Sequence, residues 1–138
     1  MIAWKCPSVR VSVIDKDPDR VRAWQLDAPS FHEPGLLDIL ACIRQRAQAS
    51  AAPSNLTFTI DAAAVLRDAD TIFLCVDTPT KTFGTGSGCA PDLTSLQNAA
   101  RMIAQAATGH KIVVEKSTIP CGTSEMLRDL VSGTFSAA

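Results

Sequence analysis

Two stretches, Val113-Val114-Glu115-Lys116-Ser117-Thr118-Ile119-Pro120 and Cys75-Val76-Asp77-Thr78-Pro79-Thr80-Lys81-Thr82, decide how this chain folds. Each continues a short apolar, β-branched run and closes on small hydroxyl residues and a proline. That is how a parallel strand in an α/β sheet hands over to a loop at its carboxyl end, where such sheets bind ligands. Two such ends, with helical segments between them, point to a nucleotide-binding crevice.

Outward from these stretches the sequence alternates. Val9 to Ile14 reads as a strand that ends at Asp15. Asp17 suits an N-cap and Pro18 the first helical position, where a missing N–H costs nothing; that helix is predicted to run to about Leu26. Pro29 to Pro34 reads as a loop. Gly35 precedes a helix with Leu36, Ile39, Leu40 and Ile43 at helical spacing. Arg46 to Asn55, rich in Ala, Ser and Gln and containing Pro53, reads as a mobile loop, with Ala47 to Ser54 having no part in catalysis. Leu56 to Ile60 reads as a strand, Ala62 to Arg67 as a short helix capped by Asp61, and Thr71 to Val76 as a buried strand. Gly84, Gly86 and Gly88 punctuate a flexible loop. Pro91-Asp92 opens a helix through Ala107 with Leu93, Leu96, Ala100 and Ile103 on one face. Lys111 to Val114 reads as the last strand, and Thr123 to Val131 as the last helix. Alternation of this kind means a parallel sheet covered on both faces.

Composition bounds the function. The chain has 138 residues, one domain or a piece of one. A hydrophobic share of 46% is enough for a packed core, and a net charge of -1 gives no electrostatic case for nucleic acid or a membrane surface. No apolar run is long enough to span a bilayer, and the start of the chain is too polar for a signal peptide. A soluble, cytoplasmic protein is the expectation. Cys6, Cys42, Cys75, Cys89 and Cys121 are odd in number and form no C-x-x-C, so they read as reduced thiols, neither a disulfide frame nor a metal site. Cys75 is expected in the core and Cys121 at the surface.

Asp15 is the first candidate ligand residue. An acid at that strand end can accept hydrogen bonds from adenosine ribose hydroxyls and repel a 2′-phosphate, which favours NAD over NADP; it can equally be an ordinary turn residue. Arg20, one turn past Asp17, can reach the same ribose or a phosphate, or be a solvated helix residue. Thr78-Pro79-Thr80 sits directly at a strand end, where amides and hydroxyls can meet a ligand or merely cap a turn. Gly84-Thr85-Gly86-Ser87-Gly88 fits a phosphate cradle badly, because it does not lead directly from strand into helix.

Taken together, these residues resemble the amino-terminal NAD-binding region of the UDP-glucose 6-dehydrogenase family. The resemblance runs from Ala3 to about Leu127. It is carried by Val11 to Asp15, Arg20, Ala23-Trp24, Glu33-Pro34-Gly35-Leu36, Asp68-Ala69-Asp70, Thr78 to Gly84, Gly86, Gly88, Ala90, Asp92-Leu93, Ala100 to Ile103, and Lys111 to Thr118. It implies that Asp15 and Arg20 hold the adenosine ribose side of NAD. Val76, Thr78, Pro79 and Thr80 would line the pyrophosphate and nicotinamide ribose. Ser117 and Thr118 would lie near the nicotinamide, with Thr118 also ordering a catalytic water. The implied activity is oxidation of UDP-glucose to UDP-glucuronate in two NAD-dependent steps through a cysteine thioester, by an enzyme that is a homo-oligomer when full length. Another nucleotide-sugar 6-dehydrogenase, such as one acting on GDP-mannose, is the alternative enzyme. A non-catalytic fragment that associates with full-length subunits is the alternative of another class.

The departures from the family pattern shape the fold expectation. The family's first strand and its G-x-G-x-x-G turn do not occur in these residues, nor does its cysteine nucleophile motif. The loop from Ala47 to Ser54 is longer than usual, and Asp77 stands where Asn is common. The expected fold is therefore α/β, a Rossmann-like doubly wound parallel sheet, incomplete, with residues 1–138 a partial NAD-binding domain. In the strand order 3-2-1-4-5-6 the first strand is central. Without it, strands two and four face an empty lane of ~10 Å, and each buried unpaired group there costs ~1–3 kcal/mol. By themselves these residues are expected to bind NAD poorly and to be inactive.

Overall fold

The computed structural model describes residues 1–135. The elements run α1 (Ile2–Lys5), β1 (Val11–Ile14), α2 (Pro18–Gln25), α3 (Leu36–Ala49), β2 (Leu56–Thr59), α4 (Ala62–Asp68), β3 (Thr71–Leu74), α5 (Thr94–Ala106), β4 (Ile112–Glu115) and α6 (Thr123–Phe135). The chain divides into two compact units, Met1–Ala62 and the residues from Ala63 onward.

In the first unit β1 pairs with β2 in parallel, Val11 opposite Leu56 and Ile14 opposite Thr59. Asp17 caps α2 as its residue type predicts, its Oδ1 accepting from the amides of Asp19 at 2.9 Å and Arg20 at 3.2 Å. Trp24 of α2 stacks on Phe58 of β2 at 5.2 Å and meets Phe31 edge-on at 5.4 Å. Such aromatic pairs add to the apolar area they bury. Val21, Leu40 and Ile43 are buried on the inner faces of α2 and α3.

The loop expected over Arg46 to Asn55 is only partly a loop. The α3 helix continues to Ala49, so Arg46 to Ala49 are helical. Ala and Gln are good helix formers, and Pro53 lies beyond the point where it can disturb the helix. Arg46 is moreover an anchor. Its guanidinium donates to the carbonyls of Ala3 at 2.7 Å and Trp4 at 3.2 Å, and to Asn55 Oδ1 at 3.1 Å. Asn55 Nδ2 donates to the carbonyls of Ala3 at 2.9 Å and Val9 at 3.0 Å. Together the two side chains fasten α1, which the residue pattern does not reveal, to the end of α3 and the start of β2. Ala3 is buried beneath this clasp.

In the second unit β3 pairs with β4 in parallel, Thr71 opposite Ile112 and Leu74 opposite Glu115. Helices α5 and α6 pack together, and Leu96 and Ile103 of α5 are fully buried. The apolar stripe of α5 falls where its spacing places it, although the helix begins at Thr94 and not at Pro91-Asp92. Lys111 Nζ donates to the carbonyl of Arg67 at 2.6 Å and so closes the end of α4.

Two expectations fail at β3. The strand is not buried throughout: Ile72 and Leu74 are buried, whereas Thr71, Phe73 and Cys75 are exposed. Successive side chains point to opposite faces, so cover on one face leaves the other open. Cys75 falls on the open face and is exposed, not core. The β3–β4 pair is therefore covered on one face, with Phe73 and Ile112 accessible on the other; in the first unit Val13, beside Phe58, also remains accessible. All five cysteines are free and exposed. Among the described residues no helix is long and apolar enough to cross a membrane.

The clasp predicts a proteolysis pattern. Limited digestion should cut within residues 50–54 and spare the helical stretch from Arg46 to Ala49. Arg46→Ala should lower unfolding stability by ~1–3 kcal/mol, because several carbonyls lose a charged donor, and should open the first residues to cleavage. Early cleavage at Arg46 in the parent chain would show that the helix does not reach Ala49.

Candidate functional site

In the first unit the candidate residues gather at the carboxyl end of β1. Asp15 extends the ladder by one bond, its amide donating to the carbonyl of Thr59 at 3.2 Å. Its side chain is then held from two sides. Oδ1 accepts from the Asp17 amide at 3.0 Å, and Oδ2 accepts from Arg20 Nη1 at 2.8 Å. Arg20 also lies 3.8 Å from Asp17 Oδ2. Arg20 is an exposed helix residue that also serves as a counter-ion: the first turn of α2 brings it back over Asp15.

The charge on Asp15 is well supported. Partial burial alone pushes its carboxyl upward from the ordinary 3.8, but the amides of Asp17 and Lys16 and the Arg20 guanidinium outweigh that and hold it below this value. Its side chain remains 24% exposed. An ionised carboxylate has about four acceptor positions, so the bonds it already accepts do not exhaust its capacity for hydroxyl donors. That chemistry fits the hydroxyls of a ribose.

In the second unit the candidates gather where β3 and β4 end. The carbonyl of Leu74 accepts from the amides of Lys116 at 3.0 Å and Ser117 at 3.1 Å. The Ser117 hydroxyl donates to the carbonyl of Val76 at 2.7 Å and lies 3.3 Å from that of Leu74. Its proton ties the two strand ends together. Beyond this tie, Thr78 Oγ1 donates to the carbonyl of Thr118 at 2.9 Å and lies 3.1 Å from Thr118 Oγ1. Val76, Thr78, Ser117 and Thr118 therefore form one connected group. Thr78 is half-buried, and Thr118 and Asp77 are exposed.

Pro79 and Thr80 belong to a second set of ties. Thr80 forms an antiparallel bridge with Pro91. The Asp92 amide donates to the carbonyl of Pro79 at 2.7 Å, and the Lys81 amide to that of Ala90 at 2.8 Å. Asp92 Oδ1 in turn accepts from the Thr94 hydroxyl at 2.6 Å and the Thr94 amide at 2.9 Å. The segment after Thr78 is thereby fastened to the start of α5. No residue-type signal marks this, because the ties run through backbone groups.

The glycine-rich segment is not a strand-to-helix cradle. It is a series of closed turns, with the Ser87 amide donating to the Gly84 carbonyl at 3.1 Å and the Ala90 amide to the Gly86 carbonyl at 2.7 Å. Gly86 adopts φ +83°, and a Cβ there would lie 2.6 Å from that of Ala90. Among the described residues no group of three or more His, Cys, Asp and Glu could hold a metal ion.

The architecture is an α/β domain with parallel strands, and solved structures share it. A UDP-D-ManNAc dehydrogenase from Pyrococcus horikoshii superposes with a TM-score of 0.78 at 22% identity, over 98% of this chain and 29% of that one. A GDP-mannose dehydrogenase from Pseudomonas aeruginosa gives 0.75 at 24% identity, over 96% and 28%. These likenesses define the class of fold, an α/β domain with parallel strands. Residues 1–136 match the UDP-glucose/GDP-mannose dehydrogenase family, NAD binding domain, and the chain belongs to that family. It is 44% identical over 132 residues to UDP-glucose 6-dehydrogenase 3 of Arabidopsis thaliana and 42% identical over 127 residues to UDP-glucose 6-dehydrogenase of Caenorhabditis elegans. The chain spans about a quarter of the length of these relatives, 26% and 25%.

Two outcomes test this geometry. The folded-state pKa of Asp15 lies below 3.8. Its stabilisation is therefore complete above that value and is lost as pH falls through the lower folded value. Asp15→Asn should be less stable than the parent near neutral pH, and the gap should close in acid; a gap that widens in acid contradicts the ion pair. Gly86→Ala should lower Tm more than Gly84→Ala. Both pay ~1–2 kcal/mol for a positive φ, but only position 86 adds a clash, since nothing lies within 4 Å of a Cβ at 84. Equal shifts would mean that the turn yields freely.

Proposed function

We propose that these residues serve as the NAD-binding part of a UDP-glucose 6-dehydrogenase. The observation that carries the reading is the ionised carboxylate of Asp15, held by Arg20 and the Asp17 amide at the carboxyl end of a parallel strand, with acceptor capacity left for a ribose. NAD, when bound, supplies the hydride acceptor for the oxidation of UDP-glucose to UDP-glucuronate. Asp15 accepts from the adenosine ribose hydroxyls, and Arg20 keeps the carboxylate charged and oriented. Val76, Thr78, Pro79 and Thr80 present backbone to the pyrophosphate and nicotinamide ribose, which favours the small and hydroxyl residues found there. Ser117 holds the two strand ends together, and Thr118 orders a water near the nicotinamide.

The fold reading is a Rossmann-like doubly wound sheet. The observed pairs, β2 with β1 and β3 with β4, are those the order 3-2-1-4-5-6 leaves when its central first strand is supplied from elsewhere. UDP-glucose is favoured over GDP-mannose by the Thr80-Lys81-Thr82-Phe83-Gly84 run and by identities of 39–44% to UDP-glucose 6-dehydrogenases from plants, worm and fly. Homo-oligomeric assembly and a cytoplasmic setting belong to the same reading, the latter in keeping with five free thiols.

The test is an exchange. These residues replace the matching segment of the Arabidopsis enzyme, so that the remainder supplies the rest of the fold and the nucleophile. The exchanged enzyme should reduce NAD with UDP-glucose, and the 138-residue polypeptide by itself should not. In the exchanged enzyme, Asp15→Ala should weaken NAD binding by ~1–3 kcal/mol, one or two hydrogen bonds. Thr118→Ala should lower kcat more than it raises KM for NAD. A folded exchanged enzyme that fails to reduce NAD, or unaltered NAD affinity in Asp15→Ala, refutes the reading.

A further inference from the structure

The hydroxyls of Thr78 and Thr118 constrain each other. Each carries one proton and two lone pairs. Thr78 Oγ1 is 2.9 Å from the carbonyl oxygen of Thr118, which can only accept, and 3.1 Å from Thr118 Oγ1. Both contacts are full hydrogen bonds in one arrangement: the Thr78 proton goes to the carbonyl, and the Thr118 proton goes to Thr78 Oγ1. The carbonyl of Thr118 belongs to the loop that leaves β4, so the same bond ties that loop to the one leaving β3. Ser117 repeats the pattern one residue earlier, its proton directed to the Val76 carbonyl at 2.7 Å. In that arrangement none of the three hydroxyls keeps a proton for a ligand.

We infer that Thr78 is a positioning residue: it turns the Thr118 proton inward, so that Thr118 faces a ligand with acceptor lone pairs alone. This rests on the reading of Thr118 as a residue close to the nicotinamide. The group that Thr118 meets is then a hydrogen-bond donor. Phosphate oxygens and a sugar oxyanion are acceptors and find no partner in these hydroxyls. Two donors have the right chemistry, a water molecule and the carboxamide N–H group of the cofactor.

The experiment uses the exchanged dehydrogenase, with NAD and with its 3-acetylpyridine analogue, in which a methyl group replaces the carboxamide nitrogen. Thr78→Val keeps the shape and removes the hydroxyl. It should lower kcat about three- to tenfold, the worth of one misdirected hydrogen bond, with a smaller change in KM for NAD. Thr78→Ser should restore the parent values. If Thr118→Ala is impaired but Thr78→Val is not, the inference fails and the reading of Thr118 stands. If Thr118→Ala is unimpaired, both fail. Impairment of Thr78→Ser with Thr78→Val unaffected would assign Thr78 to methyl packing and overturn the inference. With the analogue, a Thr118→Ala penalty that disappears identifies the carboxamide as the donor, and one that persists identifies water; either outcome upholds the polarity. Thermal unfolding of the 138-residue chain adds a measurement free of turnover. Thr78→Val and Thr118→Val should be non-additive there, and strict additivity would overturn the pairing.

Discussion

The carbonyl of Leu74 is the point on which the second unit turns. Two donors converge on it, the amides of Lys116 and Ser117 at 3.0 and 3.1 Å, and the Ser117 hydroxyl, whose proton goes to the Val76 carbonyl, lies 3.3 Å away. A strand's last carbonyl would otherwise be left without a ladder partner, and an unsatisfied buried acceptor costs ~1–3 kcal/mol. Satisfying it from the neighbouring strand locks the register at Leu74 opposite Glu115. Both strands then leave the sheet at the same level. That is why Thr78 and Thr118, which are distant in sequence, meet hydroxyl to hydroxyl.

The first unit solves a related problem with charge. The chain leaves β1 at Asp15 and enters α2 at Asp17, so two carboxylates lie close together and would repel. Asp17 gives its Oδ1 to the helix amides, where negative charge is favourable. Asp15 takes the Asp17 amide and the Arg20 guanidinium. The arrangement holds Asp15 ionised and oriented without burying it. It also uses Arg20 twice, as a residue of the α2 surface and as a counter-ion. Arg46 and Asn55 act in the same manner at the other end of this unit, satisfying the backbone carbonyls left open where the short α1 helix ends.

Much of this was legible beforehand. Asp17 and Pro18 announced the start of α2, and the stripe of Leu96, Ala100 and Ile103 announced the buried face of α5. The hydroxyl residues after the strands marked the ends where the candidate site lies. What misled was composition. Ala, Gln and Ser around position 48 resemble linker, yet the first two are helix formers and carry α3 on to Ala49. Cys75, in an apolar run, resembles core, yet strand alternation turns it to the open face.

Local chemistry thus determined the element order, the capped helix, the apolar faces and, through a sufficient number of matching positions, the family to which the chain belongs. Those properties depend on neighbours a few residues away, and the sequence states such neighbours directly. Tertiary structure decided which polar groups meet: Arg46 with the carbonyls of Ala3 and Trp4, Ser117 with Val76, and Thr78 with Thr118. Hydrogen bonds are short and directional, so a partner is chosen by the strand register and loop path that bring two groups within about 3 Å, and neither is encoded by any one residue.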